Sequence, residues 1–135
     1  YAHHPTAIDA VADAVAELYP NKKSLLVFQP HLFSRTKDFV ADFARSLSRF
    51  DALRLLDIYP ARELPIPGVT SDWLLEKVQL ADKKGVSKEA VIQEIATSDA
   101  SVVIMLGAGD IGVLANQVQQ HFLSVKKKSI KKVQR

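Results

Sequence analysis

Cysteine is absent from the 135 residues, which removes disulfides, thiolate nucleophiles and cysteine-based zinc or iron–sulfur sites together. No apolar run is long enough to span a bilayer; Val102 to Leu106 is typical of the longest. No charged-then-apolar leader opens the chain. With no cysteine either, the expectation is a cytoplasmic protein. The G-x-x-x-x-G-K-[ST] loop that cradles a nucleoside triphosphate is missing, as is any serine elbow. Tyr1-Ala2-His3-His4-Pro5 reads like the middle of a sequence, so a domain of a longer protein is expected.

Acidic residues are also missing from the last ten positions, where Lys126, Lys127, Lys128, Lys131, Lys132 and Arg135 supply six positive charges. The formal net charge of +3 therefore conceals a body, residues 1–125, with 12 basic and 15 acidic groups, a net of −3. Residues 126–135 read as a basic tail, a frayed and solvated end of the last helix, and the body is not expected to bind nucleic acid.

What is present describes one soluble domain. Hydrophobic residues make up 47% and charged residues 24%, and at this length roughly two thirds of the unfolded chain's surface can be buried. Ile8, Val11, Val15 and Leu18 recur at helical spacing after Thr6, a candidate cap. Ser24 to Phe28 is an unbroken apolar run suited to a strand covered on both faces. A second helix is expected from about Thr36 to Arg49 and a second strand over Leu53 to Ile58. Residues 59–70, rich in proline, are expected to form a rigid loop. Ser71 or Asp72 caps a short helix and Ser87 another; Ser101 to Leu106 is the third strand, and a last helix follows. Strands alternating with helices predict an α/β three-layer, Rossmann-like domain with a mostly parallel sheet.

Ligands bind such sheets beyond the carboxyl ends of the strands. Three loops lie there: Gln29 to Arg35, Tyr59 to Ser71, and Gly107 to Asp110. The first sets His31, Ser34 and Arg35 between a buried strand and a helix start. Arginine's planar fork suits a carboxylate or phosphate, and helix N–H groups add attraction for an anion. Alternatively, Arg35 pairs with a surface acid such as Asp38 and His31 only caps. His3 and His4 invite a metal reading, but adjacent residues diverge and no acid completes a set; no metal site is expected. His4 before Pro5-Thr6 either offers an imidazole to an anionic ligand or is held in a turn for structural reasons. Gly107-Ala108-Gly109-Asp110 lacks the third glycine of a dinucleotide fingerprint and follows the last expected strand, so it reads as a tight turn.

Five stretches stand together in register: Tyr1-Ala2-His3-His4-Pro5-Thr6, Phe28-Gln29-Pro30-His31-Leu32-Phe33-Ser34-Arg35-Thr36, Asp57-Ile58-Tyr59-Pro60-Ala61-Arg62-Glu63, Pro65-Ile66-Pro67-Gly68-Val69 and Gly107-Ala108-Gly109-Asp110-Ile111. In order and spacing, residues 1 to about 125 resemble the C-terminal domain of a Mur ligase, and most closely the members that join L-alanine to UDP-N-acetylmuramate. The resemblance implies an ATP-dependent amide-bond ligase of bacterial peptidoglycan synthesis. ATP and magnesium would be bound mainly by a central P-loop domain upstream, and UDP-N-acetylmuramate by an N-terminal one. The domain seen here would bring the amino acid to an acyl phosphate and be inactive alone.

Carried over by position, the resemblance makes His4 and Arg35 holders of carboxylate groups. His31 would shape the same pocket, with Tyr59, Arg62 and Glu63 on the adjoining loop. Ala7 stands where alanine-adding members commonly carry glutamate, and Leu32 where some members place a second arginine. The alternatives are a ligase recycling a murein tripeptide, whose members tend to carry alanine at the position of Ala7, and a non-catalytic Rossmann-like module that binds an anionic metabolite.

Overall fold

The computed structural model describes residues 4–107, 111–125 and 129–132, with residues 122–125 and 129–132 described by their backbone. Tyr1 to His3, Ala108 to Asp110 and the ends of the basic stretch lie outside the described residues. Five parallel strands stand in the order β3-β2-β1-β4-β5. They are β1 (Ser24–Gln29), β2 (Ala52–Leu55), β3 (Asp82–Gly85), β4 (Val102–Gly107) and β5 (Ser129–Lys132). The helices are α1 (Pro5–Leu18), α2 (Phe33–Asp38), α3 (Val40–Leu47), α4 (Ser71–Lys77), α5 (Val91–Thr97) and α6 (Ile111–Val125).

Every residue of β1 and of β4 is buried, because helices cover the sheet on both faces. Leu26 and Phe28 of β1, with Ile104 and Leu106 of β4, pack on Ile8 of α1, Phe43 and Leu47 of α3 and Leu74 of α4. The alternate residues Leu25, Val27, Val103 and Met105 pack on Val91 and Ile95 of α5 and on Leu114 and Val118 of α6. These are the expected three layers, and the expected α/β class is the one found.

Several boundaries differ from expectation. The first helix is entered through His4 at its N-cap, with Pro5 rather than Thr6 opening it; proline suits that position because the first turn's N–H has no intrahelical partner. The helix expected over Thr36 to Arg49 is two helices that break at Phe39. Thr70, not Ser71 or Asp72, caps α4, its hydroxyl accepting the Trp73 N–H at 3.1 Å. Ser87 precedes a single 3₁₀ turn, Lys88–Ala90, without a side-chain cap.

Two strands went unforeseen. β3 is Asp-Lys-Lys-Gly, and β5 falls inside the stretch expected to be a frayed helix end. α6 ends at Val125, and β5 returns the chain to the sheet beside β4. Both are edge strands, where main-chain pairing on one side suffices and lysine keeps the open side from recruiting other chains. No described helix is long and apolar enough to cross a membrane.

Candidate functional site

The strand order reverses between β1 and β4: the chain moves from β1 outward to β2 and β3, then returns to β4 and continues to β5. That reversal opens a crevice at the carboxyl ends of β1 and β4. Gln29 and Gly107, partners in the β1–β4 register, close those ends. Their backbones approach closely; a Cβ on Gly107 (φ +144°) would sit 2.7 Å from the Gln29 carbonyl oxygen.

The chain leaving β1 is tied at once to the chain leaving β2. Tyr59 donates its N–H to the Pro30 carbonyl at 2.8 Å, and Leu32 donates to the Tyr59 carbonyl at 2.9 Å. This bridge lays the His31 imidazole on the Tyr59 ring, with centroids 5.8 Å apart and planes 18° from parallel. Leu32 turns there through φ +72°, ψ 135°. From that turn α2 begins, and Arg35 in its first turn brings Nη1 to 3.2 Å from His31 Nδ1.

A guanidinium only donates, so the contact requires Nδ1 to be the accepting nitrogen and the ring to be unprotonated. Burial, reinforced by the Arg35 charge and opposed by Glu63, lowers the imidazole below its ordinary value of 6.5. The neutral form is therefore the one held at physiological pH. One donor of Arg35 is engaged by His31, which fixes the fork while leaving further N–H groups for a ligand.

Glu63 ties the loop after β2 to the start of α2. Its carboxylate accepts the Ser34 N–H at 3.1 Å and, in a very short contact, the Ser34 hydroxyl. These bonds hold the carboxyl below its ordinary range. The attraction that the start of α2 offers to an anion is thus met by the protein's own carboxylate. Glu63 is a cap supplied from the neighbouring loop.

Of the six residues expected to bind substrate, the structure gathers His31, Arg35, Tyr59 and Glu63 into one contiguous cluster. Arg62 is exposed, next to Ala61 at φ +53°. His4 stands apart, its ring edge-on to Phe39 with centroids 5.5 Å apart. Phe39 caps α2 and donates its N–H to the Arg35 carbonyl, so His4 lies one helical turn along from Arg35. Of the two readings of Arg35, the pairing with Asp38 does not occur: Arg35 forms no ion pair with it among the described residues.

A groove of about 680 Å³ runs between the start of α1 and α3, lined by His4, Thr6, Asp9, Phe39, Asp42 and Arg49 among others. Its charges are matched internally, Arg45 with Asp42 and Arg49 with Asp9 and Asp13, and Phe39, which lines it, donates its N–H to the Arg35 carbonyl. Among the described residues no group of three or more histidine, aspartate or glutamate side chains is placed to hold a metal. His3 and Asp110 lie outside the described residues.

Sequence reasoning missed the Glu63 cap, the Phe39 partner of His4 and the turn at Leu32. The first two are contacts made through space between distant segments, and no residue pattern announces them. A leucine gives no sign of a positive φ.

Comparison with known proteins places these features in context. Residues 1–115 match the family model described as "Mur ligase, glutamate ligase domain". A UDP-N-acetylmuramate–L-alanine ligase of Flavobacterium psychrophilum is 61% identical over 120 residues, which are 89% of this chain and 27% of that protein. One from Porphyromonas gingivalis is 50% identical over 122 residues, 90% of this chain and 27% of the relative. In structure the chain is similar to the crystal structure of a UDP-N-acetylmuramate-alanine ligase from Thermotoga maritima. That likeness has a TM-score of 0.71 at 21% identity and covers 93% of this chain and 26% of that one; it is a likeness of fold. The chain spans about a quarter of the length of the curated relatives it matches.

Proposed function

The chain belongs to the Mur ligase family, and from that membership we propose that it is the amino-acid-presenting domain of an ATP-dependent ligase that joins L-alanine to UDP-N-acetylmuramate in the cytoplasm. The reading is carried by one observation: Arg35, in contact with a neutral His31, stands just beyond the carboxyl end of β1, where the loop after β2 meets it. A free amino acid must be held by its carboxylate so that its amine is left to react, and a fork with spare donors meets that need.

In this reading Arg35 binds the L-alanine carboxylate, and His31, stacked on Tyr59, fixes the guanidinium plane. His4 and Arg62 flank the entrance. The sugar acid's carboxylate oxygen attacks the γ-phosphorus of ATP, releasing ADP; the amine then attacks the resulting acyl phosphate and expels phosphate. ATP, its magnesium and the UDP-sugar are bound by the rest of the ligase, where magnesium would neutralise phosphate charge. The contribution of this domain is orientation, converting a collision of amine and acyl phosphate into a step between held partners.

The test is phosphate release by the intact ligase with ATP, magnesium and UDP-N-acetylmuramate, offering L-alanine or the murein tripeptide. Release with L-alanine supports the proposal. Release with the tripeptide alone would assign the chain to a recycling ligase and make Ala7 the better guide to acceptor. Release with neither, from folded enzyme, would favour a non-catalytic binding module.

A further inference from the structure

Leu32 occupies a backbone conformation, φ +72° and ψ 135°, close to a region that glycine alone populates readily. Such a conformation is costly for a residue with a side chain and persists only where its surroundings over-determine it. Here two groups do so. The N–H of Leu32 is taken by the Tyr59 carbonyl at 2.9 Å. Its carbonyl is taken twice by Thr36, through the backbone N–H at 3.2 Å and the side-chain hydroxyl at 2.8 Å.

Thr36 has no accessible surface, the only residue of α2 that is fully buried. It faces inward, touching neither the crevice nor solvent, and next to it in sequence is Arg35. A hydroxyl returning to the carbonyl four residues back is a common helical contact. In this case the carbonyl belongs to the strained residue that turns His31 toward Arg35.

We propose that Thr36 is a positioning residue: its hydroxyl locks the strained turn at Leu32, and through that turn it sets the His31–Arg35 geometry that receives the amino acid. The inference rests on the function proposed above for Arg35. The methyl and the hydroxyl of Thr36 have separable duties. The methyl fills space in a sealed interior, where its loss lowers stability. The hydroxyl holds the turn, and its loss still leaves the Leu32 carbonyl bonded to the Thr36 N–H, so no buried acceptor is orphaned.

The experiment uses the intact ligase with Thr36→Val and Thr36→Ser, measuring KM for the accepted amino acid, KM for ATP, kcat and the melting temperature. Thr36→Val is expected to raise the amino-acid KM about tenfold while KM for ATP and kcat stay within twofold. Thr36→Ser is expected to keep the wild-type KM and to melt at a lower temperature. Thr36→Cys keeps the volume with a poor donor and stands in for valine should that variant not fold. A valine or cysteine variant with wild-type amino-acid KM overturns the inference, as does a serine variant whose KM rises equally. If the wild-type enzyme accepts the tripeptide instead of L-alanine, the proposed function fails, and the same comparison made with the tripeptide still decides the role of Thr36.

Discussion

Arg35 Nη1 lies 3.2 Å from His31 Nδ1, two groups that attract each other only while the imidazole is uncharged. Replacing Arg35 with alanine in the intact ligase should raise the amino-acid KM by at least tenfold. Arg35→Lys should restore little of it, because an ammonium cannot reproduce the planar fork. An unchanged KM in the alanine variant would remove Arg35 from the pocket, and one in the lysine variant would mean that charge suffices without the fork.

The same pair has a pH signature. Burial and then the Arg35 charge lower His31 from 6.5, so the unfolded chain binds the proton more readily than the folded one. Folding stability attributable to His31 is therefore complete above about pH 6.5 and declines as pH falls toward the depressed folded value. Glu63 adds a loss in the same direction further down, below its ordinary 4.5, because its carboxylate is the form that caps Ser34. Unfolding measured between pH 7 and 5.5 should show wild type losing stability faster than His31→Gln; equal slopes would sink this assignment.

Ser34→Ala removes the hydroxyl that Glu63 accepts but keeps the N–H. The expected cost is about 1 kcal/mol in denaturant unfolding. Glu63→Ala should destabilise further, by leaving the Ser34 N–H and hydroxyl both without their acceptor. Equal stability of the two variants would mean that the backbone half of the cap contributes nothing.

At the other side of the sheet, Arg54 of β2 is buried to 8% exposure and pairs with Asp82 of β3 at 2.8 Å and Glu94 of α5 at 3.0 Å. Lys84 joins the Glu94 carboxylate at 2.9 Å. Arg54→Ala should cost about 3 kcal/mol, the low end for stranding a buried partner, since Asp82 stays partly wet. Amino-acid KM should not move, because the network is remote from Arg35 along β2; a KM effect without a stability effect would contradict this.

Much of this architecture was legible in the residues. β1 and β4 announce themselves as short apolar runs because burial on both faces demands apolar side chains at every position. His31 and Arg35, which the structure brings into contact, stood out in the sequence as candidates because they lie in the loop after a central parallel strand, where ligands meet such sheets. β3 and β5 were not legible, since an edge strand such as Asp82 to Gly85 is defined by the main-chain partner beside it and not by its own side chains. Nor was the break at Phe39, which has no proline or glycine to mark it. The bond between Glu63 and Ser34 was not legible either, because the two stand 29 residues apart in sequence.

The pairing of β1 with β4, from Ser24 opposite Val102 to Gln29 opposite Gly107, sets a condition on synthesis. Translation delivers β1 long before its central neighbour, and closing so long a loop is slow. Until residue 107 has left the ribosome, a six-residue strand apolar on both faces has one edge unpaired. Nascent chains stopped short of β4 are thus the form of this protein most exposed to aggregation and to capture by chaperones.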